Sequence, residues 1–253
     1  MQDAALLELA ARLARQAGEA IMGIRAAGFA VNRKTDRSPV TAADHAAEAL
    51  IVEGLRAATP AIPVIAEEEV EAGLAPLPGR QYWLVDPLDG TRDFAAGREH
   101  FAVNIGLVRD GRPVLGAVAV PFTGEVFAGL VGAGAWKEDA AGRRAIAVRP
   151  PPPEGLTVMV SFHHGDDPRL ARFLAGYRVR EIIRIGSAEK VCRVAEGAAD
   201  LYPRFGTTME WDTAGPEAVL VAAGGSFTRL DGTPLPYGKP GFRNEAFIAR
   251  GGR

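Results

Sequence analysis

The chain has 253 residues, 47% of them hydrophobic and 24% charged, the profile of an ordinary globular protein with room for one large core or two packed halves. Lys and Arg number 29 against 31 Asp and Glu, a formal net charge of −2, which excludes a global basic field able to hold a nucleic-acid polymer. Any anionic partner must be met locally.

The first element is the clearest. Leu6, Ala10, Leu13, Ala17, Ile21 and Ile24 recur at steps of three and four, which predicts a long amphipathic helix with Asp3 as its N-cap. This opening carries Asp3 and Glu8 and lacks the basic-then-apolar layout of a signal peptide, and no long apolar run follows, so a cytoplasmic protein without a membrane partner is expected. The single cysteine, Cys192, excludes an internal disulfide framework and suits a reducing compartment; with four histidines, a Cys/His zinc site is not expected.

Residues 42–58 repeat the helical pattern more weakly, and 62–66 reads as a short strand delivering Glu67-Glu68-Glu69 to its end. Residues 82–85 form another apolar run. Phe101, Val103, Ile105 and Leu107 then alternate, Asp110-Gly111 turns the chain, 114–120 runs back, and Thr123-Gly124 turns it again into 126–130. This is a β-meander bracketed by helices, and the class is α/β or α+β in layers. Pro150 to Pro153 can continue neither a helix nor a central strand, so the chain divides there into an N-terminal half, 1–150, and a C-terminal half, 151–253. Beyond that point 157–161, 179–185, 201–202 and 226–230 read as strands, interleaved with helices over 168–176, 187–196 and 212–223.

The densest chemical signal is Asp86-Pro87-Leu88-Asp89-Gly90-Thr91, two carboxylates and a hydroxyl on one turn after an apolar strand. Hard cations want such oxygens. The Gly90 and Thr91 amides, where they open a helix, would aim donors at a phosphate; an acidic surface turn is the plain alternative. Glu67-Glu68 repel each other unless solvated or shared by a cation. Asp212 reads equally as an N-cap before Thr213, and Thr41-Ala42-Ala43-Asp44 fits a capping box.

The ordered set Asp44, Glu67-Glu68, Asp86-Pro-Leu-Asp89-Gly-Thr91 and Trp211-Asp212, followed by Gly224-Gly225, resembles the magnesium-dependent, lithium-sensitive inositol monophosphatase superfamily. Within it, Ser38-Pro39-Val40-Thr41-Ala42-Ala43-Asp44, Tyr82-Trp83-Leu84-Val85 and Leu201-Tyr202-Pro203-Arg204-Phe205-Gly206 look like the 3'(2'),5'-bisphosphate nucleotidase branch. Where that branch commonly reads Gly-Ser-Ser-Leu-Lys, this chain has Gly186-Ser187-Ala188-Glu189-Lys190.

The resemblance implies alternating α-β-α-β-α layers and hydrolysis of 3'-phosphoadenosine 5'-phosphate to AMP and phosphate. It implies Glu67, Asp86 and the Leu88 carbonyl as ligands of one magnesium, Asp86, Asp89 and Asp212 of a second, and a weaker third near Glu67. Thr91 and Asp44 would form a relay that orients and deprotonates the attacking water, with Glu67 beside it. Leu88, Asp89, Gly90, Thr91 and Asp212 would hold the reacting phosphate; Ser187, Lys190 and Arg204 would reach the rest of the nucleotide. Lithium inhibition follows, and a homodimer is compatible. Inositol monophosphatase or sugar phosphatase activity on the same scaffold is the closest alternative.

Other classes fit less well. A haloacid-dehalogenase phosphatase needs its acids two apart, and here they are three apart. Gly129, Gly132 and Gly134 lead to Trp136-Lys137 with no helix behind them, unlike the phosphate loop of a binding module. Cys192, His163 and His164 suggest no site.

Overall fold

The apolar stripe of the first helix lies against a sheet, with Leu6, Ala10, Leu13, Ala17 and Ile21 buried. In the computed structural model, which describes residues 2–33, 39–163 and 165–252, this helix is α1 (Asp3–Ala27). Ser38 and His164 lie outside the described residues. Gln2, not Asp3, is the N-cap, and it makes no side-chain cap. Asp3 is instead the first helical residue, its carboxylate held by Arg109 at 2.7 and 3.0 Å. A bidentate guanidinium outcompetes a single backbone amide for that carboxylate.

The N-terminal half continues through β1 (Val31–Arg33), β2 (Pro39–Thr41), α2 (Ala42–Ala58), β3 (Val64–Ala66) and α3 (Glu67–Glu71). It then runs through β4 (Gln81–Asp89), α4 (Thr91–Ala95), β5 (Ala102–Arg109), β6 (Arg112–Val120), β7 (Glu125–Leu130), β8 (Gly134–Asp139) and β9 (Gly142–Ile146). Strands β3 to β9 pair in sequence order as one seven-stranded sheet, with β3 parallel to β4 and every later pair antiparallel. The predicted meander is its centre. Strands β8 and β9 extend it beyond the sequence reading, because β9 reads Gly-Arg-Arg-Ala-Ile, an exposed edge without apolar alternation.

The C-terminal half contributes β10 (Leu156–Ser161), α5 (Pro168–Leu174), β11 (Val179–Ile185), α6 (Glu189–Ala195), β12 (Leu201–Arg204) and β13 (Thr208–Met209). After these come α7 (Ala214–Ala222), β14 (Ser226–Arg229), β15 (Arg243–Asn244) and β16 (Phe247–Arg250). A second sheet has the order β11-β10-β12-β16-β14. Its β16 slots antiparallel between β12 and β14, a placement no local pattern announces.

Side-chain alternation stacks the layers. Trp83, Val85, Val103, Ile105 and Leu107 face α1 and α2, while Tyr82, Leu84 and Val108 join a core with α6, α7 and residues of the second sheet such as Tyr202 and Phe247. The other face of that second sheet, Val158, Val160, Leu201 and Ile248, packs on Leu170 and Phe173 of α5. The architecture is therefore α-β-α-β-α, as expected. Among the described residues no helix is long and apolar enough to cross a membrane.

Candidate active site

Strand β4 is buried along Tyr82 to Leu88, and it delivers its acids at the edge of the cleft between the two sheets. Asp86 pairs with Asn104 and Asp89 with Ala102, the register shifting between them. Pro87, with no N–H to give the ladder, sits in that irregularity. Gly90 follows at φ 92°, where a Cβ would meet the His100 carbonyl at 3.0 Å, and α4 starts at Thr91.

The Thr91 hydroxyl lies 2.9 Å from the Leu88 carbonyl and 3.0 Å from Asp44 Oδ1, so its one proton serves one acceptor at a time. Asp44 Oδ2 accepts from the Thr41 amide at 2.7 Å and the Thr41 hydroxyl at 2.8 Å, closing a capping box at the start of α2. The capping box expected from the sequence is present. The cap fixes one carboxylate oxygen and leaves the other for Thr91.

The Glu67-Glu68 pair separates at the first turn of α3. Glu67 lines the cleft, whereas the Glu68 amide donates to Glu48 of α2 at 2.8 Å. Burial pushes the Glu48 carboxyl up to about 7, with repulsion from Glu68, Glu69 and Glu67 adding to it. Asp212 does not cap α7. The N-cap there is Thr213, and Asp212 Oδ2 turns back to accept from the Met209 amide at 2.8 Å.

These side chains converge on a cavity of about 370 Å³. Glu67, Asp89, Gly90, Thr91 and Asp212 line it together with Ser187, Lys190 and Arg204. Asp86, close to Glu67, Asp89 and Asp212, and Leu88, whose carbonyl meets Thr91, are buried beside it, and Asp44 is buried next to Thr91. The structure thus brings all the sequence-nominated residues to one place. It adds Arg92, Asp93, Ser161, His163 and Tyr202 to the lining. Arg92 and Asp93 were within reach of sequence reasoning, since they continue the turn that Thr91 begins. His163 was not: it reaches the cavity because β10 ends beside α4, and its Nε2 lies 2.9 Å from Asp93 Oδ1. The expectation that His163 belongs to no site is corrected. Cys192 is buried and its thiol is pushed up by burial, as suits an inert core residue.

The electrostatics are severe. Burial raises the Asp86 carboxyl well above its usual range, and repulsion from Glu67, Asp89 and Asp212 adds to that; the Leu88 amide, donating at 3.0 Å, opposes it. Asp212 is raised well above the ordinary value by burial and then by Asp89. Burial also raises Asp89, against the pull of Lys190 and an amide bond from Ala188. The Lys190 ammonium is driven down to about 8 by burial, while Asp89 holds it up.

Among the described residues no three acid, histidine or cysteine side chains form a ready-made metal cage. Backbone amides of Ala188 and Met209 occupy carboxylate oxygens of Asp89 and Asp212 instead. The donor set still fits hard divalent cations: oxygen ligands throughout, and four crowded carboxylates whose mutual repulsion a dication would relieve.

Known proteins resemble this chain along nearly its whole length. Residues 2–249 match the inositol monophosphatase family. The chain is 44% identical over 246 residues to the 3'(2'),5'-bisphosphate nucleotidase CysQ of Salmonella typhimurium, covering 94% of this chain and 98% of that protein. Its fold superposes on the crystal structure of CysQ from Bacteroides thetaiotaomicron with a TM-score of 0.82 and 31% identity, over 98% of each chain. Inositol monophosphatase from Anabaena gives a TM-score of 0.78 and 30% identity, over 98% of this chain and 91% of that one.

Proposed function

The chain belongs to the inositol monophosphatase family, and on that premise we propose that it is a magnesium-dependent 3'(2'),5'-bisphosphate nucleotidase that converts 3'-phosphoadenosine 5'-phosphate to AMP and phosphate. The observation that carries this reading is the mixed cavity lining, in which the acids and Thr91 share one space with Ser187, Lys190 and Arg204. Such a pocket suits a substrate with one anionic group to be attacked and another to be held. The similarity to nucleotidases over nearly the whole chain supports the same choice.

Glu67, Asp86, Asp89, Asp212 and the Leu88 carbonyl are the oxygens that would hold two or three magnesium ions. Bound there, the ions supply positive charge to the phosphoryl oxygens and acidify a water. The remaining work belongs to the chain. Thr91 Oγ1, held by Asp44 Oδ1, accepts the proton of the attacking water as its own proton passes to Asp44, and Asp44 is kept in place by its cap to Thr41. Glu67 orients that water from the other side. Amides at Gly90 and Thr91 offer donors to the equatorial oxygens; with α4 only five residues long, these local dipoles matter more than any helix macrodipole. Lys190 faces Asp89 and offsets part of the acids' charge.

The test is phosphate release across a small panel in magnesium. 3'-Phosphoadenosine 5'-phosphate is expected to be hydrolysed with higher kcat/KM than inositol 1-phosphate. The reverse order would remove the nucleotidase assignment and leave a family phosphatase with a sugar-phosphate pocket.

A further inference from the structure

A bisphosphate substrate brings a second phosphate, carrying about −1.5 to −2 charge at neutral pH, that the acids cannot accept. Of the cations lining the cavity, Lys190 is engaged by the chain itself and Arg204 only in part. Lys190 is buried, donates to the Ser187 carbonyl and lies 3.4 Å from the Ile185 carbonyl, so its ammonium braces the turn after β11 as much as it faces a ligand. Arg204 donates to the Thr207 carbonyl at 3.2 Å through one Nη, while its buried Nε has no hydrogen-bond partner among the described residues.

At Arg92 the accounting differs. Asp93 is the carboxylate next to Arg92 in sequence, and its Oδ1 is engaged elsewhere: Arg98 donates to it at 2.7 Å and His163 Nε2 lies 2.9 Å from the same oxygen. Arg98 is further pinned by Phe162, whose ring centre is 4.2 Å from the guanidinium carbon. Arg92 is exposed on the cavity lining and makes no side-chain hydrogen bond or ion pair among the described residues. Its backbone is nonetheless fixed, being the residue after Thr91 on α4. A guanidinium with its whole donor fork unspent, on a helix that also carries the attacking-side hydroxyl, is matched to a phosphate held near the reacting one.

Resting on the nucleotidase reading, we propose that Arg92 binds the non-reacting phosphate of the substrate and is the residue by which this site prefers a bisphosphate to a monophosphate.

The experiment compares Arg92→Ala and Arg92→Lys with the wild type on 3'-phosphoadenosine 5'-phosphate and on 3'-AMP, in magnesium at 0.1 M and 0.5 M salt. For Arg92→Ala the ratio of kcat/KM, bisphosphate over monophosphate, is expected to fall about tenfold through KM, and to remain depressed at the higher salt. Arg92→Lys should recover part of it. A ratio equal to that of the wild type overturns the proposal, as does a defect that disappears at 0.5 M salt, which is the behaviour of a charge that only steers encounter. A wild-type enzyme that hydrolyses 3'-AMP but not the bisphosphate overturns the substrate reading itself, an outcome distinct from a wild type that prefers the bisphosphate without Arg92.

Discussion

Asp86, Asp89 and Asp212 are carboxylates placed where carboxylates are costly. Their pKa values are raised in the folded chain by burial first; repulsion from Glu67 and the neighbouring aspartates adds to this at Asp86 and Asp212, while Lys190 and the Ala188 amide oppose it at Asp89. Groups raised in this way stabilise the fold below the unfolded carboxylate value and withdraw that contribution as pH rises through the folded value. At neutral pH the metal-free protein therefore carries strain that bound cations would remove. Asp89→Asn and Asp212→Asn should each lower turnover by more than about 100-fold, the range reached when even outer partners of metal ligands are lost. Calorimetry should find magnesium binding abolished, while the metal-free variants melt at higher temperature than the metal-free wild type. An Asp212→Asn enzyme that keeps its activity and its magnesium affinity would reduce that residue to a local brace for the Met209 amide.

Among the elements, α7 decides how the acids meet. It lies between the sheets, packed on β5, β6 and β7 and reaching β14, and its first turn follows directly from Asp212. The approach to β6 is so close that a Cβ on Gly116 would collide with the Gly215 backbone. Such contact transmits any shift of the sheet to Asp212. The same helix buries Glu217, whose Oε2 lies 2.6 Å from the Tyr237 hydroxyl, and burial lifts its carboxyl to about 8. Between the ordinary glutamate value and 8, the unfolded chain has lost this proton and the folded chain has kept it, so stability falls as pH rises. Glu217→Gln keeps an acceptor for Tyr237 and has no proton to lose. Denaturant midpoints from pH 5 to 8 should fall less steeply in the variant, the gap widening by at most about 1.4 kcal/mol per pH unit. Parallel curves would mean that Glu217 is ionised in the native state.

At the scale of the molecule, the site is assembled across the chain: Glu67, Asp86 and Asp89 come from before the proline run and Asp212 from after it. We retain the division near Pro150 as a proposal about how the chain is organised. The halves share one core, in which Leu84, Val108 and Phe127 pack with Val219, Tyr202 and Phe247. Cations bound between the halves should raise the melting temperature, by an amount equivalent to about 2.7 kcal/mol at a hundredfold excess over Kd, and chelation should reverse it. Lithium is expected to inhibit at millimolar concentration or below, uncompetitively with substrate, because a monovalent ion of similar size under-compensates four carboxylates. Steady-state rates with lithium or sodium at matched ionic strength provide the check. Equal inhibition by both would reduce the effect to screening.

The sequence by itself determined whatever rests on neighbours along the chain. The period of α1, the alternation through β5 to β7, the capping box at Thr41 and the Asp86 to Thr91 turn are local patterns, and local backbone preference enforces them. The ordered acids determined the family in the same way, because each motif is short and its chemistry specific. Tertiary structure alone decided what depends on distant segments meeting. It placed β16 between β12 and β14, a pairing set by shared sheet edges rather than by anything in Phe247 to Arg250. It turned Asp212 away from capping, because the Met209 amide lay within reach. It gave His163 and Arg98 to Asp93 and placed Arg92 on the cavity lining, since contacts among charges are settled by distance in space, and spacing along a chain does not encode that distance.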